Sequence, residues 1–149
     1  MRRTRSGHYE IRLSTEERAL LRGLGPRMRD VLADDADPVR QRLFPVAYPD
    51  DDERQTEYRL LAHGELLESH LGALAILEET VDAERLDEDA LSGWMRALNE
   101  VRLVLGTRLE ITEEGDERPA DHDDPEARAF AIYDYLTWLQ GEIIDALSG

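Results

Sequence analysis

LLAHGELLESHLGALAILEETV, residues 60–81, decides the architecture of this chain. Leu60, Leu67, Leu71, Leu74 and Val81 recur at steps of three, four and seven. At about 3.6 residues per turn they fall within roughly 40° of a common direction. A half-buried strand would alternate every second residue, and this run does not. The spacing predicts one long helix over about 52–81, with an apolar stripe that needs a partner surface.

His63 and His70 stand on the same stretch, among glutamates. Seven residues of helix put both rings on nearly one face but roughly 10.5 Å apart along the axis. A zinc ion holds nitrogens at about 2.0–2.1 Å, so paired ligands on one helix sit three or four residues apart. Neither HExxH nor Glu-x-x-His is present: Leu67 stands three before His70, and Leu60 three before His63. The spacing favours two packing histidines flanking a leucine stripe. A small-molecule or metal-binding enzyme built on His63 and His70 is the weaker alternative.

Outward from this helix, the pattern continues. Towards the C-terminus, Asp87 caps a helix over about 88–108, in which Leu91, Trp94, Leu98, Val101 and Leu105 alternate steps of three and four. RLEIT, 108–112, reads as a short strand, and residues 113–124 read as an exposed acidic linker. Asp124 and Pro125 open a last helix running to about Leu147. Towards the N-terminus, PVAYPDDD reads as a loop, and Asp37 with Pro38 opens a short helix. GLGP, 23–26, divides an earlier helical run, so one helix ends near Gly23 and another runs from Pro26 to Ala33. Ser14 and Glu17 form a capping box at its start, and the alternation of Tyr9, Ile11 and Leu13 predicts a strand. Residues 1–7 read as a disordered basic tail and 8–149 as a single helical domain. The expected fold is all-α or mostly α, a bundle of about five helices with two short strands.

Composition narrows the chemistry. The chain has 149 residues, 18 basic against 34 acidic, for a net charge of −16; all 18 basic residues are arginine. Nucleic-acid binders need a basic face to displace counterions, so direct DNA binding is not expected. Without cysteine there is no disulfide, thiolate nucleophile or cysteine-ligated zinc. Without lysine there is no Schiff base and no phosphate-loop ammonium. No apolar run approaches the ~20 residues of a membrane span, and MRRTRSGHYE lacks the apolar core of a secretory signal. The expected compartment is the cytoplasm, with no membrane association.

No catalytic residue stands out. DHDD around His122 lacks the ligand order of a calcium loop, and Ser69 beside His70 lies in no nucleophile elbow. No cofactor is expected. Arg96 and Arg102 border the apolar stripe of the 88–108 helix, where each is a candidate for an ion pair with a buried glutamate of the 52–81 helix. The last helix buries Ala129, Ile132, Leu136, Leu139, Ile143 and Leu147 on one stripe and carries Ala131, Tyr135 and Trp138 on another. A peripheral helix needs only one apolar face. Either this helix is central and buried all round, or its second stripe meets a partner protein or a second copy of the chain.

FPVAYPDDDERQTEYRLL at 44–61, ALNEVRLVLGTRLEIT at 97–112 and YDYLTWLQGEIIDAL at 133–147, with EIRLSTEERALLRGL near the N-terminus, resemble the AosR-like family of actinobacterial proteins. The resemblance implies a regulator of transcription in the oxidative-stress response. In the family's characterised branch it implies a CxxxC redox pair, an extracytoplasmic-function sigma factor as partner, and control of cysteine-biosynthesis genes. This chain departs from that pattern, because it holds no cysteine. No redox residue carries over. What remains expected is a non-enzymatic regulator acting through protein contact, with a sigma-factor type partner and no thiol switch.

Overall fold

The computed structural model describes residues 1–34, 37–44, 53–111, 118–119 and 123–149. The elements in chain order are β1 (Arg2–Arg3), β2 (Tyr9–Glu10), α1 (Thr15–Ala33), a 3-10 helix (Pro38–Leu43), α2 (Glu53–Thr80), β3 (Arg85–Leu86), α3 (Glu88–Arg108) and α4 (Pro125–Ser148). The mostly helical fold with short strands is as expected. The PVAYPDDD loop lies outside the described residues, as do His122 and most of the acidic linker.

α1, the 3-10 helix, α3 and α4 each begin on a side-chain cap. Ser14 Oγ accepts the Glu17 N–H at 3.1 Å, and Glu17 Oε1 accepts the Ser14 N–H at 3.2 Å. Asp37 Oδ1 accepts from Val39 N–H at 2.9 Å, Asp87 Oδ1 from Ala90 N–H at 2.7 Å, and Asp124 Oδ1 from Glu126 N–H at 2.9 Å. These contacts satisfy backbone donors that a first helical turn leaves free.

Three local expectations are corrected. First, α1 runs unbroken through Pro26. Proline in a helix interior costs about 3 kcal/mol. Leu21 and Leu24 before it and Met28, Val31 and Leu32 after it are all buried, and each buried side chain of this size contributes roughly 1.5–3 kcal/mol. Their combined burial outweighs the break.

Second, residues 108–112 do not form a strand over their described part. α3 ends there in a Schellman turn: Glu110 is left-handed at φ 56°, Ile111 N–H reaches Gly106 O at 2.9 Å, and Glu110 N–H reaches Thr107 O at 3.2 Å. Third, the basic tail holds a strand. Arg3 pairs with Tyr9, which pairs with Leu86 in the α2–α3 connection, making a three-stranded antiparallel sheet in the order β1-β2-β3. Tyr9 and Leu86 are buried, so the sheet closes one end of the helical core.

α3 is central, packed between α2 and α4, with α1 against α2. Leu91, Trp94 and Leu98 of α3 meet Leu74 and Leu77 of α2 and Leu136, Leu139 and Ile143 of α4 in one buried cluster. Trp94 Nε1 donates to Thr80 Oγ1 at 2.7 Å, which satisfies the one polar atom of the largest buried ring. α2 and α3 approach closely at Gly93, where a Cβ would stand 2.9 Å from Ile76 Cγ2. Among the described residues, no helix is long and apolar enough to cross a membrane.

Candidate functional site

Two regions are the candidates: a polar cluster inside the bundle, and the outward face of α4. The cluster forms where the 3-10 helix lies across α2 and α3. His70 of α2 is 6% exposed. Its Nδ1 makes a short hydrogen bond to Glu100 Oε1 of α3, and its Nε2 stands 3.0 Å from Leu43 O. Both neighbours are oxygens that can accept, an arrangement that favours the doubly protonated ring. Burial alone would lower its pKa. The Glu100 hydrogen bond, the Leu43 carbonyl and the Glu100 charge outweigh that and raise it.

Glu100 also receives Arg96 Nε at 3.3 Å on the same oxygen, while its Oε2 is buried without a hydrogen-bond partner among the described residues. His63, about two turns earlier, belongs to a different contact. Buried Arg40 donates Nε to Leu32 O at 2.9 Å and Nη2 to His63 Nε2 at 3.0 Å. Phe44 joins the two groups: His63 stacks on it at 4.1 Å, His70 meets it edge-on at 5.4 Å, and the Arg40 guanidinium lies 4.5 Å from its centroid. The two imidazoles therefore have different hydrogen-bond partners and share only the Phe44 ring. Among the described residues, no group of three or more His, Cys, Asp or Glu side chains could hold a metal ion.

The arginines lie where the stripe put them, but their partners differ from those expected. Arg96 contacts Glu100 of its own helix, one turn on, rather than a glutamate of α2. Arg102 Nη1 donates to the buried Gln140 Oε1 of α4 at 2.7 Å, and its guanidinium lies 5.7 Å from the Tyr133 ring. Sequence reasoning missed Glu100, Arg40 and Phe44. A signal for Glu100 existed: with Gly93, Ala97 and Val104 it makes a second line at steps of three and four, all buried. A carboxylate in such a line must find a partner inside the core.

On α4, Trp138 is 53% exposed and Ala131 is exposed. That excludes a helix buried all round. Tyr135, between them, is half-buried, and its ring is 5.8 Å from that of Trp138. Its hydroxyl donates to Glu17 Oε2 at 2.6 Å, so the glutamate that closes the capping box also ties α4 to α1. Burial and the Glu17 contact push the Tyr135 pKa up. Burial works to raise that of Glu17, but hydrogen bonds from Tyr135 and Ser14 outweigh it, leaving a net lowering. The described part of the acidic linker is also held to α4. Arg118 binds Asp134 through both terminal nitrogens, at 2.5 and 3.0 Å, and lies 4.8 Å over Phe130. Its hydrogen bond holds the Asp134 carboxyl below its usual pKa, against a smaller effect of burial.

Residues 1–147 match the family described as Domain of unknown function (DUF2017). The chain belongs to that family. It is similar to the putative oxidative stress regulator AosR of Mycobacterium leprae (strain TN), 34% identical over 130 residues, covering 74% of this chain and 58% of the relative. It is equally similar to the oxidative stress regulator AosR of Mycobacterium bovis and of Mycobacterium tuberculosis (strain ATCC 25618 / H37Rv), 34% identical over 131 residues, covering 76% of this chain and 59% of each. These matches show the AosR-like membership that residues 44–61, 97–112 and 133–147 pointed to. The chain spans less than two thirds of the length of these relatives. No solved structure matches it.

Proposed function

We propose that this protein is a non-enzymatic regulator in the oxidative-stress response, acting on transcription in the cytoplasm through contact with a protein partner of the sigma-factor type. The observation that carries the reading is the 34% identity to proteins named oxidative stress regulators. The charge of −16 favours a basic protein partner over DNA. Exposed Trp138 supplies a large anchor with a polar tip, the kind of side chain enriched at interfaces. Ala131 and Tyr135 extend that surface. Cysteine is absent, so the oxidant signal reaches this protein without a thiol switch.

The test is a deletion strain of the native host, complemented with this chain and profiled for transcripts before and after peroxide. A peroxide-responsive gene set that changes on deletion and returns on complementation supports the reading. An unchanged transcript profile and unchanged peroxide survival overturn it. Sedimentation of the pure protein, alone and with each purified sigma factor of the host, then separates a homodimer from a sigma-factor complex.

A further inference from the structure

α1, α3 and α4 enclose a cleft of about 120 Å³ that has no part in the contacts above. Leu24, Met28 and Val31 of α1, Val104 of α3 and Ile132 of α4 line it, with Arg27 and Arg108 among the lining residues. At roughly 10–15 Å³ per water-sized position, the space holds on the order of ten such positions. Pockets for nucleotides and other large ligands run to about 300–1,000 Å³, so the occupant is small. Its body must be apolar, because aliphatic side chains supply most of the walls.

The charged groups decide what the other end of the occupant carries. Arg108 Nη2 already bonds Asp37 Oδ2 at 2.7 Å. Arg27 is exposed and makes no hydrogen bond or ion pair among the described residues. The guanidinium plane matches a carboxylate with two parallel N–H donors. The net charge of −16 repels anions at long range, but beyond about 8 Å that field is screened at physiological salt. With Arg108 neutralised by Asp37, Arg27 therefore sets the local sign.

We infer that this cleft binds a small aliphatic monocarboxylate, its hydrocarbon tail between α1, α3 and α4 and its carboxylate on Arg27. Such a ligand bridges three helices of the bundle and stabilises their packing by mass action. The inference is independent of the regulatory reading, since it concerns only what the cleft holds.

Amide-resolved NMR titration of the full chain tests it, with hexanoate as probe. Hexylamine has the same tail with opposite charge, and acetate has the same head without the tail. Hexanoate should give saturable shifts at Leu24, Val31, Val104 and Ile132, with hexylamine and acetate weaker by at least about tenfold, the size of a lost charge-assisted hydrogen bond or a lost apolar tail. Arg27→Gln changes an exposed side chain, so its melting midpoint should match the parent while hexanoate affinity drops by about tenfold or more. Absence of saturable shifts, hexylamine binding as tightly as hexanoate, or undiminished affinity in Arg27→Gln would each overturn the inference.

Discussion

His70 and Trp138 stand on helices of the same bundle and meet opposite environments. His70 is 6% exposed, with both ring nitrogens engaged and contacts reaching α2, α3 and the 3-10 helix at once. Trp138 is 53% exposed and touches the body of the protein mainly beside Tyr135. A polar ring has been taken inside and a large aromatic left outside. The inward group can be there because each of its ring nitrogens has a partner, Glu100 on one side and the Leu43 carbonyl on the other. The outward group is half exposed and has little apolar area left to contribute to folding, which leaves it accessible for the partner contact proposed above. The proposed binding surface and the buried polar contact thus lie apart in the bundle, and the separation can be tested.

The largest effect should come from His70→Ala. It leaves the buried Glu100 carboxylate with only the Arg96 contact at 3.3 Å and should cost about 3 kcal/mol, read as a lowered urea midpoint. A cost under about 1 kcal/mol, no more than a surface substitution, would erase the contrast. Titration removes the same contact reversibly. The His70 pKa is raised in the folded state above its ordinary 6.5, so its contribution is full below that value and is lost as pH rises through the folded pKa. Stability should therefore fall on going from pH 6 to alkaline pH, and His70→Ala should flatten that slope. An unchanged slope in the variant would assign it to another group.

Gly93→Ala probes the seam between α2 and α3 that holds the His70–Glu100 contact. The new Cβ would stand 2.9 Å from Ile76 Cγ2, in a packed core, and should cost about 1–3 kcal/mol. Tyr135→Phe comes next, because it removes only the hydroxyl that reaches Glu17. A loss of about 1 kcal/mol in thermal unfolding is expected, and a neutral result would mean that water replaces the contact fully. The smallest effect belongs to Trp138→Ala, within about 0.5 kcal/mol of the parent in stability. Its effect should appear in association instead, as a partner affinity weakened by about 2 kcal/mol, measured by sedimentation or calorimetry. A strongly lowered melting midpoint with unchanged association would place Trp138 among the folding residues and join the two regions.

Much of this was legible in the residues themselves. Steps of three and four located α2, α3 and α4, and the pairs Ser14–Glu17, Asp37–Pro38 and Asp124–Pro125 marked where helices begin. Those features depend on contacts from i to i+4, so the chain carries them locally. The candidate site was legible only in part. His70 and Arg96 were visible as polar residues beside apolar stripes, but the carboxylate joining them is Glu100, thirty positions from His70, and its place depends on how α3 is rotated against α2.

The same limit explains the misplaced features. Pro26 reads as a break until the burial on both sides of it is known. Arg3, Tyr9 and Leu86 form one sheet only once α2 has carried the chain back. Arg102 finds Gln140, and Tyr135 finds Glu17, across distances no local pattern spans. The approximate bounds of α2, α3 and α4, the caps and the two apolar stripes of α4 were thus determined by sequence alone. Whether the second stripe is covered, which charge is buried, and which aromatic is left to solvent were decided by tertiary packing, because each depends on the surface a helix meets rather than on the helix itself.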